Sequence, residues 1–591
     1  DFIIMDKNEI LARAKAYIND EQDETFKKQV EELISKEDYT ELEDRFFQDL
    51  EFGTAGLRGI IGGGTNRMNP LVINKATQGL ANYFIKTFPE KAKAGTLSAV
   101  IAYDSRNYSD VFAESTALIF AANGFKTYLF SALRPTPELS YAIRRLGCDT
   151  GVVVTASHNP PQYNGYKAYW NDGAQVIEPH DVGIIKEVNA VKIENVKTIS
   201  RLEAISSGKL VIIDKEIDQP YWEYCKNQLF RPELMKEKAN EAKIVYTPLH
   251  GTGAMHVEKV LSGLGLTVIT VPEQREGDGN FPTVEKPNPE EKPAMKMAVE
   301  LGEKEKADVV MATDPDADRF GIAVPDNNGK YVLVTGNQMG ALFVDYIIKT
   351  RKELGKMPKN PAIVRSIVTS PFSDRICAKN GVELVECLTG FKWIANCMNE
   401  FDKTGKNYIF GFEESYGYNV GKDVHDKDGV SASAMCAEMT LYWRTQGKSL
   451  LQRIEELYTE YGYFQDGAIS LNFPGVTGGA KMKAIMEKLR TEGVKEFGGK
   501  KVVKIRDIGQ SVEFSPNSPT NKTALAFPKS NVIQFFLEGG SVVSARPSGT
   551  EPKIKFYINI CIDDEKDLKK AGEKADKLIA EIDKELKAFV D

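Results

Sequence analysis

Three aspartates at alternate positions, Asp314, Asp316 and Asp318, follow the apolar run Val309 to Met311 and precede Arg319. Alternate spacing crowds carboxylates into one turn. Hard oxygen donors placed so suit Mg2+ and leave coordination positions open for a phosphate oxygen. An EF-hand loop is excluded, because its sixth position would be Arg319 instead of glycine and its twelfth Pro325 instead of glutamate. An acidic surface turn is the bland alternative, and the apolar strand feeding the loop argues against it.

A second cluster surrounds Ser157 in Thr155-Ala156-Ser157-His158-Asn159-Pro160-Pro161, with Lys167 beyond Asn164-Gly165. Asn-Pro-Pro breaks a strand, so Ser157 sits in a turn where its hydroxyl can act as a nucleophile. The G-x-S-x-G elbow of an α/β-hydrolase is absent. By itself Ser157 reads as a turn-capping serine and His158 as a hydrogen-bonded loop residue; the acidic loop shifts that balance. Arg546-Pro547-Ser548-Gly549-Thr550-Glu551-Pro552-Lys553 offers a guanidinium, hydroxyls and Gly-permitted N–H groups, a phosphate cradle or else a turn between strands. Glu413, Ser415 and Lys427 supply donors and acceptors of the kind that bind sugar hydroxyls. Gly447-Lys448-Ser449 is not a Walker A loop, since Tyr442 stands where its first glycine belongs, and Gly251-Thr252-Gly253 lacks the third glycine of a dinucleotide fingerprint.

The elements that must position these loops repeat along the chain. A strand, a helix, a Gly-containing turn, a second strand and later a third strand ending in a polar loop recur with first strands at Ala99 to Tyr103, Lys243 to Thr247 and Ala362 to Val368. The third strands run into Thr155, Thr313 and Gly411. Such alternation predicts mixed, largely parallel sheets, with ligands beyond the carboxyl ends of strands. Ahead of the repeats, apolar residues at helical spacing (Ile10, Leu11, Ala14, Tyr17, Ile18, then Phe26, Val30, Leu33, Ile34) predict two short amphipathic helices. From about Asp466 the repeat breaks into an α+β region with strands at Val532 to Leu537, Val542 to Ser544 and Ile554 to Ile560, closed by a helix from Glu565. The expected domains are 1–218, 219–345, 346–465 and 466–591.

Composition narrows the function classes. With 42% hydrophobic residues, 27% charged residues and a dispersed net charge of -8 over 591 residues, the chain reads as several globular domains. Neither a nucleic-acid face nor a membrane span is expected. The seven cysteines form no C-x-x-C pair, which fits a reducing cytoplasm. The sequons at Asn107 and Asn521 are read as chance matches, because nothing at Asp1 to Lys7 resembles a secretory signal.

Together, Phe52-Gly53-Thr54-Ala55-Gly56-Leu57-Arg58-Gly59, Thr155 to Lys167, Asp314 to Arg319, Thr389-Gly390-Phe391-Lys392, Gly411 to Tyr418 and Arg546 to Lys553 resemble the α-D-phosphohexomutase superfamily. The phosphoglucomutase and phosphopentomutase-like branch is the nearest in pattern, with Tyr416 and Tyr418 beside the sugar loop. The resemblance implies an α/β fold of four domains around a central cleft, three similar mixed α/β domains plus a C-terminal α+β domain. It implies phosphorylation of Ser157, whose phosphate joins Asp314, Asp316 and Asp318 around Mg2+, with Arg58, His158 and Lys167 near the transferred group. Glu413 and Ser415 would hold the sugar, Thr389 and Gly390 would line the cleft, Arg319 and Lys427 would also bind substrate, and Arg546, Ser548, Gly549 and Thr550 would grip the phosphate that stays. Ala317 replaces a glycine often found in the metal loop.

The implied reaction interconverts glucose 1-phosphate and glucose 6-phosphate through a phosphoserine and a glucose 1,6-bisphosphate intermediate, which also acts as activator. Mannose phosphates are further candidate substrates. A phosphopentomutase acting on ribose or deoxyribose phosphates and a metal-dependent sugar phosphatase are the alternatives. A silent sensor is disfavoured by retention of Ser157 with all three aspartates. Lys167, His158 and Lys427 are candidate bases. A monomer or weak homodimer in the cytoplasm is expected.

Overall fold

The computed structural model describes residues 4–475, 477–549 and 551–591. Three helices open the chain where two were expected: α1 (Lys7–Asp20), α2 (Glu24–Ser35) and α3 (Tyr39–Phe46). Asp6, Asp23 and Asp38 cap them by accepting backbone N–H groups. The short α3 escapes a periodicity reading because only Leu42 and Phe46 of its residues are buried. Those two join Ile10, Ala14, Tyr17 and Val30 in one apolar cluster.

The repeat predicted from sequence appears as sheets of matching topology. In the first, β2 (Ser98–Tyr103) pairs in parallel with β3 (Lys126–Phe130) and β4 (Thr150–Val154). Antiparallel β5 (Tyr163–Tyr169) and β1 (Leu57–Ile60) extend one edge, and β6 (Leu210–Ile213) the other. In the second, β7 (Lys243–Thr247) lies in parallel between β8 (Thr267–Thr270) and β9 (Val309–Thr313). Antiparallel β10 (Phe320–Pro325) and β11 (Tyr331–Val334) follow β9. In the third, β12 (Pro361–Ser366) pairs in parallel with β13 (Glu383–Cys387) and β14 (Asn407–Glu413). Strands β4 and β9 are buried along their whole length, which is why they read as unbroken apolar runs and not as alternating ones.

The chain forms two compact units. One comprises residues 1–334 and 415–442, the other 335–414 and 443–591. The first therefore holds both leading sheets together with β15 (Gly417–Asn419). The second holds the β12 to β14 sheet and a C-terminal sheet in the order β16 (Tyr463–Asn472), β23 (Lys553–Ile562), β22 (Val542–Pro547), β21 (Ile533–Leu537), β18 (Lys500–Asp507), β19 (Val512–Phe514), β20 (Thr523–Ala524), with β17 (Glu496–Phe497) paired to β18. The helix Leu568–Val590 covers that sheet, burying Ala571, Ala575, Leu578, Ile582 and Leu586 at the expected helical spacing. The long strand β16 was not anticipated, because its burial alternates weakly and it starts just before the expected domain break. The helix Gly336–Glu353 runs through position 345, where a domain division was expected.

One backbone contact fixes the strand carrying Arg58. Gly56 has φ +88, and a Cβ there would lie 1.9 Å from the carbonyl oxygen of Tyr166 on β5. Gly56→Ala therefore combines a left-handed conformation with a backbone clash and is expected to cost about 2 to 4 kcal/mol. A lowered thermal midpoint, read beside wild type, checks this; an unchanged midpoint would show that β1 does not depend on the contact.

Candidate active site

The loops carrying Ser157, Asp314 and Asp104 leave the carboxyl ends of strands in the first unit. Strand β4 runs into Ser157, β9 into Asp314, and β2 into Asp104. Ser157 adopts φ 54, a left-handed conformation that costs a non-glycine residue about 1 to 2 kcal/mol and must be held by its surroundings. Two devices hold it. The Ser157 N–H donates to Thr155 Oγ1 at 2.9 Å, and Arg106 donates to the carbonyls of Ser157 (2.7 Å), Asn159 (2.6 Å), Pro160 (2.9 Å) and Tyr163 (3.1 Å). Arg106 is itself pinned by buried Asp104, 3.4 Å away, which also accepts from Thr155 Oγ1 and Ser109 Oγ. Sequence reasoning missed both residues. Their one signal was position, since Asp104 is the first residue past β2, where polar residues of α/β sheets gather around ligands.

The outcome is an aimed hydroxyl. Ser157 Oγ donates to Asp314 Oδ2 at 3.0 Å and lies 3.2 Å from His158 Nδ1. Asp314, Asp316 and Asp318 each offer an oxygen within 4.8 Å of the others, and all are buried. Lys167, on β5, places its Nζ 3.6 Å from Asp316 Oδ2, and Lys427 its Nζ 3.5 Å from Asp318 Oδ2. Arg319 returns its backbone N–H to Asp314 Oδ1 at 3.1 Å while its guanidinium holds the Ser415 carbonyl at 2.5 Å. Arg58, more exposed, donates to Asn159 Oδ1 at 3.2 Å. Ala317, in the glycine-like position, has φ 55, so the loop keeps its glycine geometry at some strain.

The donor set fits a divalent cation. Asp316 Oδ1 and both oxygens of Asp318 are buried without a hydrogen-bond partner among the described residues. Burial, and then the charges of Asp316 and Asp318, push Asp314 well above the usual carboxylate range. Burial also opposes the charge on Asp318, but Lys427, Lys167 and Arg319 outweigh it and hold that carboxyl low. Crowded carboxylates with free oxygens are what a hard cation neutralises.

In the second unit, Glu413 ends β14 and accepts the Gly390 N–H at 3.2 Å; Thr389 and Gly390 link β13 to the helix Phe391–Thr404. Gly390 has φ 116. Arg546 lies on β22 beside Lys555 of β23 and hydrogen-bonds Tyr557, whose hydroxyl burial pushes up to about 12. Ser548 and Gly549 form the hairpin connection, where Ser548 Oγ accepts the Glu551 N–H at 3.1 Å. Thr550 lies outside the described residues. The loop expected to bind the sugar is divided between the units. Glu413 and Glu414 fold with the second unit, Ser415 to Lys427 with the first. Tyr418 is a core residue, buried edge-on to Phe320.

Three family models match in chain order: the phosphoglucomutase/phosphomannomutase alpha/beta/alpha domain I over residues 49–194, domain II over 219–329 and domain III over 335–461. The chain belongs to this family. It is 37% identical to a probable phosphoribomutase of Schizosaccharomyces pombe, over 91% of each chain. It is 33% identical to a phosphoglucomutase of Staphylococcus haemolyticus, over 88% of this chain and 92% of that one. It is 36% identical to a human glucose 1,6-bisphosphate synthase, over 94% of this chain and 90% of that one. Membership makes the protein an isomerase of the phosphohexomutase type and leaves its sugar open. Among the described residues no helix is long and apolar enough to cross a membrane.

The geometry also sets the charge of His158. Burial, and then the cations Arg319, Arg58 and Lys167, push its imidazole well below 6.5. A histidine held neutral in the folded state binds its proton only after unfolding, so its contribution to stability is lost as pH falls below about 6.5, at about 1.4 kcal/mol per pH unit. In metal-free protein the His158 ring resonances, assigned with His158→Gln, are expected to stay at neutral-imidazole shifts as pH falls through the free-histidine value of about 6.5; titration with a midpoint at that value would contradict the site's electrostatics.

Proposed function

We propose that the protein carries phosphate on Ser157 and interconverts glucose 1-phosphate and glucose 6-phosphate. The observation that carries the reading is Ser157 Oγ lying 3.0 Å from Asp314 Oδ2 beside a buried carboxylate triad with free oxygens. Asp314, Asp316 and Asp318, with phosphorylated Ser157, would hold a Mg2+ ion, which would supply positive charge against the phosphoryl oxygens. Phosphoryl transfer needs mainly positioning and charge neutralisation. Lys167, Arg319 and Arg58 add cationic donors around the same serine. His158, neutral and 3.2 Å from Ser157 Oγ, is the group able to take the proton of the attacking hydroxyl. Lys167 and Lys427, paired with Asp316 and Asp318, are assigned as the cations beside the triad.

The phosphoserine gives its phosphate to the free terminal or anomeric hydroxyl, forming glucose 1,6-bisphosphate. The other phosphate of that bisphosphate then returns to Ser157, releasing the isomer. Added glucose 1,6-bisphosphate primes a dephosphorylated serine by the same step. Glu413, Thr389 and Gly390 are assigned to the sugar hydroxyls. Arg546, Ser548 and Gly549 are assigned to the phosphate not in transfer. A second reading, a pentose phosphate as substrate, is favoured by the 37% identity to a phosphoribomutase and uses the same residues.

Ser157→Ala is expected to lose roughly a thousandfold or more in kcat, and the phosphate on wild-type protein should map to the Ser157 peptide. Stable phosphate elsewhere, or full activity in the variant, overturns the reading. Comparing kcat/KM for glucose 1-phosphate, mannose 1-phosphate and ribose 1-phosphate, each with a trace of its bisphosphate, decides the sugar. Inorganic phosphate released faster than isomer forms would mark a phosphatase.

Arg546→Ala is expected to lower kcat/KM about ten- to a hundredfold, the loss of one charge-assisted, bidentate phosphate grip, with Arg546→Lys recovering only part. Wild-type kcat/KM in the alanine variant would reduce Arg546 to a hairpin residue.

A further inference from the structure

Metal-loop residues Pro315 and Asp316 are clamped by two threonines from elsewhere in the first unit. Thr252 donates both its N–H and its hydroxyl to the Pro315 carbonyl, each at 2.8 Å. Thr136 donates its N–H to the Asp316 carbonyl at 2.9 Å and its hydroxyl to Asp316 Oδ2 at 2.7 Å. Thr136 is fully buried. It opens the 11-residue helix Thr136–Leu146 after Pro135, so its N–H is one of those a helix leaves without an internal partner. The preceding turn is itself anchored, since Arg134 makes a two-pronged contact to Asp218 at 2.8 and 2.9 Å.

The carboxylate of Asp316 is therefore divided by function. Its Oδ2 is taken by Thr136 and faces Lys167, whereas its Oδ1 is buried with no hydrogen-bond partner among the described residues. A free carboxylate can rotate and present either oxygen; one held at Oδ2 from two sides presents Oδ1 alone. We propose that Thr136 is a positioning residue for the cation site, fixing Asp316 so that Oδ1 serves as the ligand atom. The inference rests on the metal reading of the Asp314, Asp316 and Asp318 triad given above. Outer groups that orient a ligating side chain typically contribute about 10- to 100-fold in metal affinity.

The test uses Mn2+ alone as probe, with binding to the full-length, chelator-stripped protein followed by the electron paramagnetic resonance of free Mn2+. Thr136→Val keeps the side-chain volume and removes the hydroxyl, so its Mn2+ dissociation constant is expected to rise about 10- to 100-fold. Thr136→Ser restores the donor and should recover most of the wild-type affinity, a rescue that a merely space-filling role would not produce. Thr136→Ala replaces the valine variant if the latter does not fold. Wild-type Mn2+ affinity in the hydroxyl-free variant, alongside lost binding in Asp316→Ala, overturns the role of Thr136 and leaves the metal site standing. Undiminished binding in Asp316→Ala overturns the metal reading and this inference with it.

Discussion

Three carboxylates buried within a few ångströms of one another are the constraint around which the first unit is built. Removing such charges from water is costly, and their mutual repulsion adds to the cost. Lys167, Lys427 and Arg319 offset part of it, each arriving from a different stretch of chain: β5, the loop after β15, and the aspartate loop itself. The oxygens left without a hydrogen bond concentrate negative charge of the kind a divalent cation neutralises. Stability is given up locally so that charge is concentrated at one point of the fold.

The serine loop obeys a complementary logic. Left-handed backbone at Ser157 is unfavourable in isolation, and it persists because Arg106 gathers four carbonyl oxygens of the loop into one planar fork. Arg106 can sit buried because Asp104 neutralises it and because its two terminal Nη groups meet carbonyl acceptors. Packing and polar satisfaction thus convert a strained turn into a fixed direction for one hydroxyl.

The third repeat is divided between units. Strand β14 and Glu413 belong to one unit, while Ser415 and Lys427 belong to the other, with Lys427 held by Asp318 and the Ser415 carbonyl by Arg319. Residues two apart in sequence therefore answer to different cores. Lys427, grouped by sequence with the sugar loop, acts electrostatically on the aspartate triad.

Much of this was open to reading from residue types and spacing. Alternate aspartates after an apolar strand, a serine in an Asn-Pro-Pro turn and a thrice-repeated strand pattern are local features, set by side-chain chemistry and backbone preference over a few residues. The sheets, the carboxyl-end placement of the loops and the C-terminal helix followed from them, because burial on both faces of a parallel strand and on one stripe of a helix leaves periodic traces. What the tertiary structure alone decided is which distant residues meet. Thr136 lies 180 positions from Asp316, Arg106 lies 51 from Ser157, and Tyr418 turns inward to the core although it neighbours the sugar loop. A threonine after a proline or an arginine past a strand end has no distinctive local signature. Its meaning is a hydrogen bond closed across the fold, and only the packing of the elements brings donor and acceptor together.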